Sequence, residues 1–268
     1  MIRAATTALL RLLALFVLAA IALQLYFLVR VALMAVLDPQ STTFQRSEAW
    51  RLLVEKRQIL WAQQWVDYER ISPNLKRAVI ASEDAEFAEH SGVDWDAIER
   101  AWERNQRAEE RLDRLNAQLE RRAAKAPAGK SAPPPPPRVA KVVGGSTITQ
   151  QLAKNLFLGS ERSLARKGQE FVITMMLEGL LSKQRIFEIY LNSVEWGEGL
   201  FGAEAAARHY FRTSAQALAP MQAARLAVML PAPKRFEKRP NSAYVIGRAG
   251  TIAPRIGAID PPRSGAGA

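Results

Sequence analysis

Residues 83–92 read EDAEFAEHSG. The two carboxylates Glu83 and Asp84 end a segment that begins at Ser72-Pro73, a favourable helix start because proline has no N–H to leave unpaired in the first turn. A carboxylate at such a helix end can act as a base where burial raises its pKa. The alternative is a polar helix terminus at which His90 caps a carbonyl group, and this stretch alone does not decide between them.

Residues 144–155 read GGSTITQQLAKN. Thr147 followed by Gln150 is the pattern of a capping box at a helix start. In the helix that follows, Gln151, Lys154 and Asn155 share one face, which offers hydrogen-bond donors and a cation near a positive helix N-terminus. The alternative is an ordinary capped surface helix.

Residues 166–170 read RKGQE. Arg166 and Glu170 are four residues apart and lie on the same side of a helix, so a simple surface ion pair is one interpretation. The other is a cationic cradle, formed with Lys167, beside a second functional carboxylate. Further on, Tyr190 is expected in the core rather than at a ligand.

The rest of the chain after residue 144 has helical periodicity and little strand alternation, so the fold is predicted to be mainly α. The sequence has no cysteine, which excludes disulfides and thiolate chemistry. HExxH and EF-hand patterns do not occur, so no metal site is predicted. A net charge of +11 indicates an anionic partner.

An apolar run from Leu12 to Val29, interrupted only by Gln24, predicts a transmembrane anchor over residues 12–37. Arg3 and Arg11 precede it, so the positive-inside rule places residues 1–11 in the cytoplasm and the remainder outside. A cleaved signal peptide is the alternative, but the run is long for one. An external domain on a membrane anchor makes nucleic acid an improbable partner.

The anchor is predicted to precede a catalytic domain over residues 46–245, with a charged, proline-rich insertion at 103–141 and a loose tail at 246–268. Residues 103–125 are expected to form a solvated helix, and Pro133 to Pro137 an extended polyproline segment. The insertion is interpreted as a mobile segment outside the core, or alternatively as a partner-binding arm.

Four ordered motifs resemble the peptidoglycan glycosyltransferase family, whose members polymerise lipid II. They are Glu83-Asp-x-x-Phe-x-x-His-x-Gly92, Gly145-Ser-Thr-Ile-Thr-Gln-Gln-Leu-x-Lys-Asn155, Arg166-Lys-x-x-Glu170 with Leu177-Glu178, and Tyr190-Leu-Asn192. The resemblance covers residues 46–245. There is no Ser-x-x-Lys with companion motifs to suggest a transpeptidase, so the chain resembles the monofunctional members.

The resemblance implies a lysozyme-like domain with two lobes around a cleft. Glu83 matches the family's catalytic base and Glu170 its second cleft carboxylate. Lys154, Arg166 and Lys167 match the groups that hold the donor's pyrophosphate. The residues matching those that line or shape the cleft are Asp84, Phe87, His90, Thr147, Gln151 and Asn155. Two departures stand out: the long insertion, and Thr174 where the family commonly has alanine.

The resemblance also implies the partners and the compartment. The expected substrates are lipid II and the growing glycan strand, and the expected products are a β-1,4-linked glycan and undecaprenyl pyrophosphate. The protein is expected in the bacterial inner membrane as a single-pass protein with a periplasmic catalytic domain, beside cell-wall synthesis or division proteins. No cofactor is required by the motifs, although Mg²⁺ or Mn²⁺ could assist the pyrophosphate.

Two other functional classes remain open at this point. A lysozyme-like hydrolase or lytic transglycosylase would use a carboxylate as an acid on finished glycan. Such an enzyme has no pyrophosphate to hold, so the cationic group speaks against it. A non-catalytic membrane scaffold that recruits partners through its proline-rich arm is the third hypothesis.

Overall fold

The computed structural model of the chain describes residues 2–124, 144–159, 161 and 163–263. The described part is mainly helical, as predicted. Its helices are α1 Ile2–Leu33, α2 Thr43–Lys56, α3 Pro73–Glu83, α4 Trp95–Ala124, α5 Ile148–Phe157, α6 Leu164–Leu180, α7 Lys183–Ser193, α8 Ala203–Phe211, α9 Pro220–Met229, α10 Pro233–Phe236 and α11 Ala243–Ile252. Short 3-10 helices cover Tyr68–Arg70, Ala215–Ala217 and Ala253–Ala258.

The first helix has the length and composition of a membrane span over Thr6–Leu33, and most of its apolar side chains are exposed. It starts before the predicted anchor and ends at Leu33, so residues 34–37 form a turn instead of continuing the span. Its last part is not a free anchor, since Phe27 and Val31 are buried in the protein core.

The polar residue that interrupts the apolar run has a specific partner. The side-chain amides of Gln24 and Gln169 exchange two hydrogen bonds, at 2.8 and 3.1 Å. Each amide therefore satisfies the other where α1 packs against α6. The hydrogen bonds of Gln24 thus join α1 to α6 at this point.

Two groups of packed helices hold the functional segments. Helix α3 packs against α9, which in turn packs against α11, while α5 packs against both α6 and α7. The interior is apolar, with Trp196, Tyr190, Phe87 and Phe187 among its largest fully buried side chains. Burial of these faces stabilises the helices, since short helices are marginal in water by themselves.

A small sheet lies beside this core, with strand order β1-β3-β2. Strand β1 (Ala62–Gln63) runs parallel to β3 (Leu200–Phe201), and β2 (Glu195–Gly197) is antiparallel to β3. Only Val194 separates α7 from β2, so Glu195 follows closely on the Tyr190-Leu-Asn192 segment.

The prediction of a loose tail from residue 246 is wrong for most of its length. Helix α11 continues to Ile252, and Ala249, Ile252 and Ile256 are buried. These residues recur at helical spacing, but Pro, Gly and Arg dominate the local composition and conceal that pattern. The catalytic domain therefore extends past residue 245, and residues 264–268 lie outside the described part.

Residues 93–146 form a compact unit of their own. Its described helix, α4, confirms the predicted solvated helix, although it begins at Trp95 instead of residue 103. The unit is wider than the predicted insertion at both ends. The predicted polyproline run, Pro133 to Pro137, lies outside the described residues.

Candidate active site

Glu83 is the last residue of α3 and is half-buried. Its Oε2 accepts a hydrogen bond of 3.2 Å from the Nε2 of Gln151 on α5. Burial raises the pKa of Glu83, the Gln151 hydrogen bond lowers it, and the charge of Asp84 raises it. Because burial is the largest of these effects, the pKa of Glu83 is raised. A carboxylate with a raised pKa accepts a proton more readily than a solvated one, which suits a general base.

The amide of Gln151 is held in turn by the hydroxyl of Tyr190, which donates to Gln151 Oε1 over 3.0 Å. Tyr190 is fully buried, as the sequence predicted. It also has a polar role that the sequence did not indicate. A chain of two hydrogen bonds therefore orients Glu83 from the core.

Asp84 holds the two motifs together. Its Oδ1 lies 2.8 Å from His90 Nε2, and its Oδ2 accepts the N–H of Ile148, the first residue of α5, over 2.9 Å. The buried carboxylate thus satisfies one of the unpaired donors at a helix N-terminus. The ring of His90 contacts this carboxylate. It does not cap a backbone carbonyl group, which was the alternative role expected for it.

Gly92 and Thr147 complete this junction. The Thr147 hydroxyl donates to the Gly92 carbonyl oxygen over 2.7 Å and accepts from the N–H of Gln150, which confirms it as the cap of α5. Gly92 has φ of +86°, and an added Cβ would lie 2.7 Å from Thr174 Cγ2. The last residue of the motif must therefore be glycine at this turn.

Phe87 supports the site from the protein core and is not a lining residue of the pocket. Its side chain has no exposed surface, and its ring centroid lies 5.4 Å from that of Phe187. Lys183 Nζ sits 4.6 Å from the ring centroid and donates to Glu178 and to the His90 carbonyl oxygen. Asp84, Phe87 and Thr147 are buried and His90 is partly exposed, so the first three shape the site from within the fold.

A pocket of about 410 Å³ adjoins Gln151. Part of its lining is polar and cationic and comes from α5 and α6: Gln151, Lys154, Asn155 and Arg166. The rest is mainly apolar but includes one carboxylate: Phe44, Leu158, Gly159, Val194, Glu195, Leu230 and Pro233. Desolvation lowers the pKa of Lys154, Glu170 opposes this, and the cations Arg166 and Lys167 add to it.

Glu170 is buried and paired with cations. One oxygen accepts from Arg166 Nη1 at 2.8 Å, and the other accepts from Lys167 Nζ. The predicted ion pair therefore forms, but with a buried carboxylate, and Lys167 joins it; the role of these cations as a cradle stays a prediction. Both oxygens of Glu170 accept hydrogen bonds from cations, whereas Glu83 accepts one from the neutral amide of Gln151.

Glu195 is a pocket residue that the sequence reasoning missed. It has 6% of its surface exposed, and burial raises its pKa to about 7. A charged residue between Val194 and Trp196, both buried, is the signal that could have identified it. Among the described residues, no group of three or more His, Asp or Glu side chains could hold a metal ion.

Comparison with known proteins gives a family model and similar proteins that agree with one another. A family model described as Transglycosylase matches residues 54–114 and 138–256, and the gap between them falls inside the predicted insertion. The biosynthetic peptidoglycan transglycosylase of Burkholderia vietnamiensis is 50% identical over 244 residues, covering 91% of this chain and 87% of the relative. The Burkholderia multivorans protein of the same name is 49% identical over 251 residues, covering 94% and 90%.

Proposed function

Because this chain belongs to the transglycosylase family and polymerises the glycan strands of peptidoglycan in cell wall synthesis, we propose that Glu83 is the general base of the glycosyl transfer. The observation that carries this proposal is the geometry of Glu83. Its desolvated carboxylate is oriented by Gln151, which lines a pocket together with the cations Lys154 and Arg166.

The substrates are two lipid-linked disaccharides, or one of them and the growing strand. Glu83 takes the proton from the 4-hydroxyl of the acceptor's N-acetylglucosamine as that oxygen bonds to C1 of the donor's N-acetylmuramic acid. The bond from C1 to the pyrophosphate oxygen breaks, and undecaprenyl pyrophosphate leaves with the electron pair. Single displacement inverts an α linkage to a β-1,4 linkage.

The cations that line the pocket stabilise the leaving group. Lys154 and Arg166 line the pocket, and negative charge that develops on the pyrophosphate is stabilised by cations already in place. Lys167 shares Glu170 with Arg166 and adds to the same positive field. Glu170 is then a positioning residue, because it fixes these cations and does not itself exchange a proton with substrate.

The membrane is part of the substrate arrangement. Helix α1 is a candidate membrane span, and its end packs on α6, which carries Arg166 and Glu170. We place the protein in the inner membrane with the catalytic domain on the periplasmic side, because the basic residues precede the span. A reporter enzyme active only outside the cytoplasm, fused after residue 263, tests this: an inactive fusion would contradict the orientation.

Both oxygens of Asp84 already accept hydrogen bonds, which argues against a cation held there by the protein. Assistance by a Mg²⁺ or Mn²⁺ ion on the pyrophosphate itself is a proposal, and initial rates after chelation and readdition of each ion test it. Binding of cell-wall synthesis or division proteins is likewise a proposal, to be tested by crosslinking in cells with and without residues 105–140.

The decisive experiment incubates the full-length protein with purified lipid II. We expect glycan polymer and released undecaprenyl pyrophosphate from the wild type, and a loss of about 100-fold or more for Glu83→Gln. Glu89→Gln, an exposed carboxylate on the same segment, is the matched control and should keep wild-type rates. Polymer formation by Glu83→Gln at the wild-type rate would show that Glu83 is not the base. Cleavage of finished glycan by the wild type, without polymerisation, would indicate a lytic enzyme.

A further inference from the structure

Glu195 lines the pocket and carries a buried oxygen without a hydrogen bond. It begins β2, and the next residue, Trp196, has its side chain in the core, where Trp196 Nε1 donates to the Leu226 carbonyl oxygen. Glu195 and Trp196 therefore differ in their surroundings, since only Glu195 lines the pocket. Its Oε1 is buried and has no hydrogen-bond partner among the described residues.

Lys234 forms a long ion pair with this oxygen and no short hydrogen bond. Lys234 Nζ lies 3.6 Å from Glu195 Oε1, beyond hydrogen-bond distance, and donates to Glu48 Oε1 over 2.5 Å. Buried polar atoms nearly always have a hydrogen bond, so the carboxylate of Glu195 at the pocket is a candidate acceptor for a ligand group. That group must be a donor, an O–H or an N–H, because a carboxylate only accepts.

The chemistry of the pocket indicates which part of the substrate supplies the donor. A phosphate would be repelled by the charge of Glu195 and attracted to Lys154 and Arg166, which line the same pocket. The sugar attached to the pyrophosphate carries hydroxyl and acetamido N–H donors. It also has apolar C–H surface that can pack on Leu230 and Pro233, which line the same pocket as Glu195.

We propose that Glu195 binds the sugar of the pyrophosphate-linked donor, with its carboxylate accepting a hydrogen bond from a hydroxyl or acetamido N–H of that sugar. The inference rests on the proposed function and adds a specificity residue to it. Glu195 touches a part of the substrate that does not react, so its hydrogen bond contributes equally to the bound substrate and the transition state. Its loss therefore raises KM and leaves kcat nearly unchanged.

The charged groups around Glu195 set a pH signature. Burial raises its pKa to about 7, Lys234 lowers it, and the carboxylates of Glu48 and Glu237 raise it. The ionised form is the stronger acceptor, so KM for lipid II should fall as pH rises through about 7. This dependence appears in KM, whereas the ionisation of Glu83 appears in kcat.

The test is the steady-state kinetics of full-length protein on lipid II between pH 5.5 and 8.5. For Glu195→Gln we expect KM at pH 8 to rise about tenfold and its pH dependence to disappear, with kcat within about threefold of wild type. Glu198→Gln is the matched control, because that carboxylate, three residues further on, pairs with Arg51 and Lys56. It should keep the wild-type KM and its pH dependence.

A second variant covers the case in which Glu195→Gln does not fold. Lys234→Gln removes a charge that lowers the pKa of Glu195, so the fall in KM should move to higher pH. An unchanged KM profile in Glu195→Gln, or in Lys234→Gln where the first variant does not fold, overturns this inference alone, provided that the wild type polymerises lipid II. A wild type that does not polymerise lipid II overturns the proposed function and this inference with it.

Discussion

Gln151 Nε2 lies 3.2 Å from Glu83 Oε2, and this hydrogen bond joins residues that are 68 positions apart in the sequence. It links the end of α3 to the first turns of α5. Tyr190 fixes the amide from α7 by donating to its oxygen over 3.0 Å. The proposed base is therefore oriented by Gln151, and Gln151 in turn by Tyr190.

Gln151→Leu should move the acid limb of kcat to higher pH. The reaction needs ionised Glu83, and the lost hydrogen bond stabilises that form, so the raised pKa of Glu83 rises further. The shift should be on the order of one pH unit, the size expected for one hydrogen bond to a charged group. The kcat profile from pH 5 to 8.5 measures it. Tyr190→Phe should give a smaller shift in the same direction, and a shift to lower pH would contradict this account.

Glu170→Gln should lower kcat about 10- to 100-fold by releasing the cations that it positions. The acid limb of kcat should stay where it is in the wild type, because Glu83 and not Glu170 supplies the base. Steady-state kinetics across pH separates the two roles. If Glu170→Gln removed the acid limb, Glu170 would be the titrating catalytic group.

Asp84→Ala should lower the free energy of unfolding by about 2–4 kcal/mol, because a buried carboxylate that pairs with both His90 and the Ile148 N–H is lost. Asp84→Asn, which can keep one of these bonds, should lose roughly half as much. Denaturant unfolding of the detergent-solubilised protein measures both. Equal stability of Asp84→Ala and wild type would mean that the junction does not support the fold.

Glu195→Gln should stabilise the protein at alkaline pH and not at acid pH. The folded-state pKa of about 7 lies above the ordinary glutamate pKa of 4.5, so wild-type stability falls as pH rises between these values. The variant lacks this loss, and its advantage above pH 7 should be at most about 3 kcal/mol. Thermal unfolding at pH 5 and pH 8 compares the two proteins. The same difference at both pH values would exclude Glu195 as its source.

Replacement of residues 105–140 by a short Gly/Ser linker should leave kcat and KM on lipid II within about threefold of wild type. These residues fall within the separate compact unit 93–146, and none of the proposed reacting groups belongs to that unit. The in vitro polymerisation assay tests this. A loss of polymerisation by a protein that still folds would show that the segment takes part in the reaction.

Local sequence patterns predicted the helices and their starts well. Ser72 and Thr147 accept hydrogen bonds from N–H groups in the first turns of their helices, as expected from the residue types. The prediction of a loose tail was wrong, because the residues that bury Ile252 and Ile256 come from elsewhere in the chain. Side-chain burial is a property of the whole fold, and composition does not report it.

The stretch 83–92 by itself determined that two carboxylates stand at a helix end next to a histidine and a glycine that the turn requires. The tertiary structure decided their roles, because it alone brings α5, α6 and β2 together around one pocket. Desolvation and long-range hydrogen bonds set the charge of each group. As a result, Glu83 is oriented by a neutral amide, and Asp84 and Glu170 accept hydrogen bonds from a backbone N–H and from cations. One oxygen of Glu195 has no hydrogen bond among the described residues.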